Sequence, residues 1–343
     1  MSQRLTSERV RVADSTEAVS NLFFEKGWSD GLPIISPTEE AVERMLAGTN
    51  REPADVVATI PPGWGEATVE KIAINAVMAG CLPEYLPLII TAVAAMCEKR
   101  INLYGVQPTT HPVSPLLIVN GPVAKKLDIN SKSGAFGPGW RSNATIGRAI
   151  RLILMNLGRA FPGKTDMSTQ GQPSKYTFCI AENEEDSPWE PLHVEQGFDA
   201  PTSTVTVVGV ENPHNINDHN AITAEEVLTT IANSVATAGS NNVLYQCGNP
   251  ILALGPEHAA TIAKDGFSKS DVKAFIHEKA RVPRRRFHES IIQRCYPNLD
   301  EDALIPITGK KEDLIVIVVG GPGKHSSFLP SFGPSRSITK AIL

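Results

Sequence analysis

Apolar residues recur at helical spacing in several stretches of this chain and form short unbroken runs in others. From Ser15 to Lys26 the spacing predicts an amphipathic helix, followed by the loop Gly27 to Gly31 and a short strand Leu32-Pro33-Ile34-Ile35. Ser36-Pro37-Thr38-Glu39 reads as a helix start, with Ser36 as cap, Pro37 in the first helical position and Glu39 closing a capping box. Thr68 to Met78 places Val69, Ile72, Ala73, Ala76 and Val77 on one face and stops at Gly80, and Pro83 opens the next helix, Glu84 to Glu98. Further helices are expected over 146–157, 224–238, 258–264 and 272–279. Leu116 to Val119, Thr204 to Val210, Ile251 to Leu254 and Leu314 to Val319 read as buried strands, joined by Tyr176 to Ala181.

One pattern returns four times: an apolar strand, a small residue with proline, then a helical stretch, at 32–37, 115–122, 250–256 and 314–322. Strands alternating with helices predict an α/β fold of repeated strand–turn–helix units around a mostly parallel or mixed sheet, with a possible internal duplication. Ligands of such sheets collect at the carboxyl edge of the strands. The 343 residues suggest two α/β halves, 1–165 and 166–343, with a soft boundary that one intertwined domain would erase.

Charge removes some function classes. Lys and Arg number 32 against 37 Asp and Glu, so a phosphate backbone finds no cationic surplus and nucleic acid is not expected as a partner. The five cysteines stand apart, without Cys-x-x-Cys pairing, which argues against a disulfide scaffold or a zinc ribbon. No apolar leader opens the sequence, and the run Leu86 to Cys97 is too short to span a bilayer, so a cytoplasmic protein with no membrane partner is expected.

Candidate chemistry falls in four places. In Gly137-Pro138-Gly139-Trp140-Arg141-Ser142-Asn143 a glycine-rich turn enters a helix, where Ser142 or Asn143 could cap, free N–H groups attract an anion, and Arg141 could clamp a carboxylate. Gly147 inside that helix costs about 1 kcal/mol against alanine unless something packs closely there. Cys81, just before a proline-started helix, is a candidate thiol nucleophile, and Cys247 a second. The loop Gly320-Gly321-Pro322-Gly323-Lys324-His325-Ser326 follows the strongest strand. Its glycines admit a ligand to the backbone, Lys324 and Ser326 could bind it, and His325 could move a proton. His111 is an alternative acid or base, and Asp30 could complete the site. His214, Asp218 and His219 are a weak metal set, lacking any recognised ligand spacing, and no cofactor is expected otherwise. No Gly-x-Gly-x-x-Gly follows a strand, so neither nicotinamide nor flavin is indicated.

Four segments, 27–33, 75–81, 143–149 and 187–195, resemble a bacterial family of uncharacterised proteins found beside, or joined to, the UGSC family of (seleno)proteins. The resemblance covers nearly the whole chain. It implies a UGSC-type protein partner or an enzyme acting on a small carboxylate. The Cys-Gly-Ser-Cys redox centre itself does not occur here. The residues together lead to an expectation of an enzyme using thiol and acid–base chemistry on a small anionic molecule, a lyase or hydrolase. The alternatives are a non-catalytic binding partner of a UGSC-type redox protein and a metal-dependent enzyme. Trp-Pro segments such as 187–191 suggest a homo-oligomer.

Overall fold

The computed structural model describes residues 5–343; Met1 to Arg4, part of the stretch read above for a leader, lie outside the described residues. In chain order α1 (Thr16–Glu25) and α2 (Glu39–Leu46) precede a hairpin of β1 (Val56–Ile60) and β2 (Gly65–Thr68). Then come α3 (Val69–Ala79), α4 (Leu86–Met96), α5 (Leu103–Val106), β3 (Ser114–Asn120), α6 (Pro122–Lys126), α7 (Arg141–Asn156) and β4 (Cys179–Ala181). After α8 (Leu192–Glu195), strands β5 (Thr204–Val210) and β6 (His214–Asn217) lead into α9 (Ala224–Val235), α10 (Asn241–Tyr245) and β7 (Ile251–Leu254). The chain continues through α11 (Pro256–Lys264), α12 (Lys269–Lys279), β8 (Arg281–Pro283), α13 (Glu289–Cys295) and β9 (Leu304–Pro306). It ends with β10 (Ile315–Val318), β11 (His325–Leu329) and β12 (Ile338–Ala341).

The fold is α/β, with two mixed four-stranded sheets ordered β12-β5-β3-β4 and β10-β7-β11-β6. In each sheet one pair is parallel, β3 with β4 and β7 with β10, and the other neighbours run antiparallel. The two sheets thus share one order and one set of directions. Their outermost strands are exchanged: β6 follows β5 in the chain but pairs with β11, and β12 follows β11 but pairs with β5. Strands on both sides of residue 165 therefore build the first sheet.

Side-chain alternation explains the layers. Leu117 and Val119 of β3 and Val205 and Val207 of β5 face a core shared with α3, α4 and α7. Their neighbours Leu116, Ile118, Val208 and Val210 face Ile251, Ala253, Ile315 and Ile317 of the second sheet. Leu252, Leu254, Val316 and Val318 look the other way, onto α9, α11 and α12. The result is helices, sheet, sheet, helices, with both sheets buried on two faces. That is why β3, β5, β7 and β10 read as continuous apolar runs.

Local signals explain the helix ends. Gly80 stops α3 in the left-handed conformation, and Thr68 caps its start. Thr223 and Glu226 form a capping box on α9. Three expectations are corrected. Leu32 to Ile35 forms no strand: the carbonyls of Leu32 and Pro33 are taken by the Arg148 guanidinium. Thr38, not Ser36, caps α2, and Pro37 stays outside the helix. Neither Ser142 nor Asn143 caps α7; the N-cap is Trp140, which makes no side-chain bond.

Candidate functional site

The parallel pair β7 and β10 ends, at its carboxyl edge, in two glycine turns. After β7, Gly255 and Pro256 turn directly into α11. After β10, Gly320 to Gly323 loop back into β11, with Gly320 and Gly323 at positive φ. A second glycine-rich segment, 130–137, lies against that loop: Gly320 N–H donates to the Ser131 carbonyl at 2.9 Å. A Cβ on Gly321 would come 1.8 Å from Ser133 Oγ and 3.0 Å from Ser133 Cβ, so the two loops pack closely at this glycine. Between the two loops is a groove of about 390 Å³, lined among others by Phe136, Gly137, Ala253, Gly321, His325 and Ser327. Residues Ala135 to Gly137 also line an adjoining, more apolar hollow of about 580 Å³ against Thr177, Phe178 and Pro213.

The pairing of β11 decides which side chains can face the groove. Ser327 sits opposite Ala253 and Asn215, on the face between the sheets, and His325 shares that face by alternation. Ser326 points to the other face. Its Oγ accepts from Gly255 N–H at 3.2 Å and lies 2.8 Å from His258 Nδ1. The His258 Nε2 is 3.1 Å from the Asp218 carbonyl, which can only accept. His258 therefore carries its proton on Nε2, and Ser326 O–H donates to Nδ1. Burial lowers the His258 pKa, keeping the ring neutral, against the opposing pull of Asp218. This buried Ser326–His258 pair ties α11 and the Asp218 loop to the sheet beneath the groove. Gly255 was legible as a turn residue; Ser326, expected to bind a ligand, instead commits its hydroxyl to Gly255 and His258. His258 gave no signal, because its partner lies 68 positions away.

His325 itself is exposed. Its Nδ1 lies 3.0 Å from Asn215 Oδ1 and its Nε2 lies 3.3 Å from His219 Nε2, with the rings edge to face. The Asn215 oxygen fixes the His325 proton on Nδ1, so His219 N–H donates to the bare Nε2. Two imidazoles thus share one proton-bearing contact at the rim of the groove.

The other expected residues take up different positions. Cys81 is buried, and its thiol donates to the Thr145 carbonyl at 3.2 Å. Burial pushes it up to about 12, so it is a neutral thiol at physiological pH. Arg141 is beside it, but its Nε and Nη2 donate to the Gly80 carbonyl at 3.2 and 3.0 Å and so close the end of α3. Neither residue lines the groove. Asn143 is buried and pins the 130–137 segment, accepting from Asn130 N–H at 2.8 Å and donating to its carbonyl at 2.9 Å. Gly137 lines the groove, and Gly139 is at positive φ with no neighbour near. Lys324 Nζ donates to the carbonyls of His219 and Ala221, so it braces the loop that carries His219. Asp30 is paired bidentately with Arg148 at 2.8 Å. His111 pairs with Glu211 at 2.8 Å, away from the groove.

His214, Asp218 and His219 do not converge. His214 is exposed on β6, and the Asp218 carboxylate accepts from the N–H groups of Asn220 and Ala221 and from Thr230 O–H. Among the described residues no group of three or more His, Cys, Asp or Glu is arranged to hold a metal, and no helix is long and apolar enough to cross a membrane. Trp189 is packed in the second helical layer, its indole N–H donating to the Phe267 carbonyl at 2.9 Å. Comparison with known protein families, with curated proteins and with solved structures returned no match.

Proposed function

We propose that this chain is an enzyme performing acid–base chemistry, hydrolysis or elimination, on a small carboxylate-bearing molecule in the groove between the 130–137 and 320–323 loops. The observation that carries the reading is the His219–His325 contact at 3.3 Å, held by Asn215 at the rim of a glycine-lined groove. A pair of imidazoles in contact can take a proton from a substrate and pass it on. Gly321, which lines the groove, makes no hydrogen bond through its N–H among the described residues. The glycines let a substrate reach the backbone, and Phe136 offers an apolar wall. Cys81 has no part in this reading, since its thiol is neutral and enclosed.

The test is a turnover screen of esters, amides, lactones and hydroxy acids bearing a carboxylate, followed by mass spectrometry. Positioned acid–base groups contribute on the order of 10²–10⁴-fold to rate. Turnover by the native chain should fall by at least about 100-fold in His325→Ala, with an unchanged circular dichroism spectrum. A variant of full activity would remove His325 from the chemistry. His219→Gln, which alters the contact to His325 Nε2, should lower turnover less than His325→Ala.

A further inference from the structure

Along α7, three cations meet two carboxylates. Arg148 is paired with Asp30, while Arg151 Nη2 (3.1 Å) and Lys175 Nζ (2.8 Å) both hold Asp166. Both carboxylates are 3% exposed, and the Arg151 and Lys175 side chains only 11% and 12%. One positive charge is left over in a partly desolvated place, where an unpaired charge is expensive. The two carboxylates are fully used. Asp166 accepts Lys175 at both oxygens, Arg151 at one and Ser168 N–H at the other.

The cations are not fully used. Arg151 spends only Nη2, on Asp166 and the Ala160 carbonyl, which leaves its Nε–H and both Nη1–H without an acceptor among the described residues. Lys175 keeps one N–H free. Burial and the neighbouring Arg151 draw the Lys175 pKa down, against the pull of Asp166. These groups open onto a hollow of about 500 Å³. Besides these cations and their partners Asp30 and Asp166, it is lined by Met155, Pro162, Pro173 and Tyr176, with Ser168 and Gln170 at hand and the Gln172 amide already held by Val210 and Asn212.

We infer that this hollow is a binding site for a small monocarboxylate with an apolar body, its carboxylate on Arg151 and Lys175 and its body against Met155, Pro162 and Tyr176. The leftover charge calls for one anion of single charge, the free guanidinium edge suits a planar carboxylate, and the volume is that of a small-molecule pocket. A multiply charged polar anion satisfies the cation but wastes the apolar wall. This site shares no lining residue with the groove that holds His325 and is independent of the reading given there.

Calorimetric titration of the full chain with isovalerate, its neutral amide isovaleramide, and inorganic phosphate tests the inference. Isovalerate should bind at least ten-fold more tightly than either of the other two. Arg151→Gln, which leaves the Asp166–Lys175 pair in place, should weaken it at least ten-fold, while His325→Ala leaves it unchanged. Equal binding of acid and amide, tighter binding of phosphate, or no binding would overturn the site without any variant. Full binding by Arg151→Gln, or its loss in His325→Ala, would move the carboxylate elsewhere.

Discussion

Gly147 is the sharpest place to test the packing. It lies inside α7, where alanine would ordinarily stabilise by about 1 kcal/mol. Here a Cβ would stand 2.3 Å from Thr177 Oγ1 and 2.4 Å from Phe178 N, in the strand approach to β4. Ordinary contact needs more than 3 Å, so helix and strand must part by about 1 Å. The obstacle is backbone and cannot rotate away. Thr177 Oγ1 also donates to the carbonyls of Asn143 and Ala144 at 3.1 and 2.9 Å, bonds that the parting would stretch. Overpacking costs about 1–3 kcal/mol and a weakened hydrogen bond about 1 kcal/mol. Against the helix gain, Gly147→Ala should be net destabilising by about 2 kcal/mol. A melting entropy of ~2.1 cal/mol/K per residue converts this to a fall in Tm of about 3 °C. Gly239→Ala, at a position with no neighbour within 4 Å and no positive φ, is the control and should stay level or rise. Scanning calorimetry reads both. A Gly147→Ala Tm equal to or above the native one would refute the close approach of α7 to the strand.

Asp30→Asn removes one charge from a buried bidentate pair and should cost about 3 kcal/mol in urea denaturation, with an unchanged m value; a loss below about 0.5 kcal/mol would mean that the pair is solvated. Cys81 should resist maleimide at pH 8 in the folded chain and react only on unfolding; rapid labelling, read by peptide mass, would contradict its burial. The His258 pKa is lowered in the folded chain, so its stabilising share is complete above about 6.5 and is lost as pH falls from there through the folded value. Denaturation at pH 5 against pH 7.5 should therefore show a loss of stability that His258→Gln reduces, and an equal slope in both proteins would exclude this histidine as the cause.

Much of the architecture was open to sequence reading, for a physical reason. β5 and β7 occur at the predicted bounds because residues buried on both faces leave an unbroken apolar run. Gly147 already signalled a close approach. Among the strands that escaped notice, β6 is short and polar, His214-Asn215-Ile216-Asn217, with only Ile216 buried. Its identity as a strand comes from pairing with β11, more than 100 positions later, and no local pattern carries that. Leu32 to Ile35 failed the opposite way, since an apolar run with no neighbouring strand has nothing to pair with. The same logic divides the site. Gly137, His325 and Ser327 meet because two glycine loops nearly 190 residues apart converge. Arg141 was read from its place at a helix start, and what it meets, the Gly80 carbonyl, lies 61 positions back.

The shared order of the two sheets sharpens the reading of the groove. At the end of β3, where Gly121-Pro122 corresponds to Gly255-Pro256 after β7, the corner is occupied by the chain's own carboxylates. Glu184 accepts from Gly121 N–H at 2.8 Å and from Asn120 at 2.9 Å. Glu182 accepts from Asn120 and from Leu192 N–H, both at 2.7 Å. Burial raises the Glu182 pKa against the pull of Lys269. The position after β10 that matches Glu184 is Gly320, and the second corner holds a hollow. A strand end that offers N–H groups attracts negative charge by the same physics in both halves. In the first corner Glu184 answers Gly121 N–H; in the second, Ser326 Oγ answers Gly255 N–H and the Glu257 carboxylate answers Gly323 N–H, which leaves Gly321 N–H for the ligand proposed above. Replacing Gly321 by a bulkier residue should therefore narrow the second corner and reduce the turnover proposed for the groove, read in the same screen, while leaving the first corner intact.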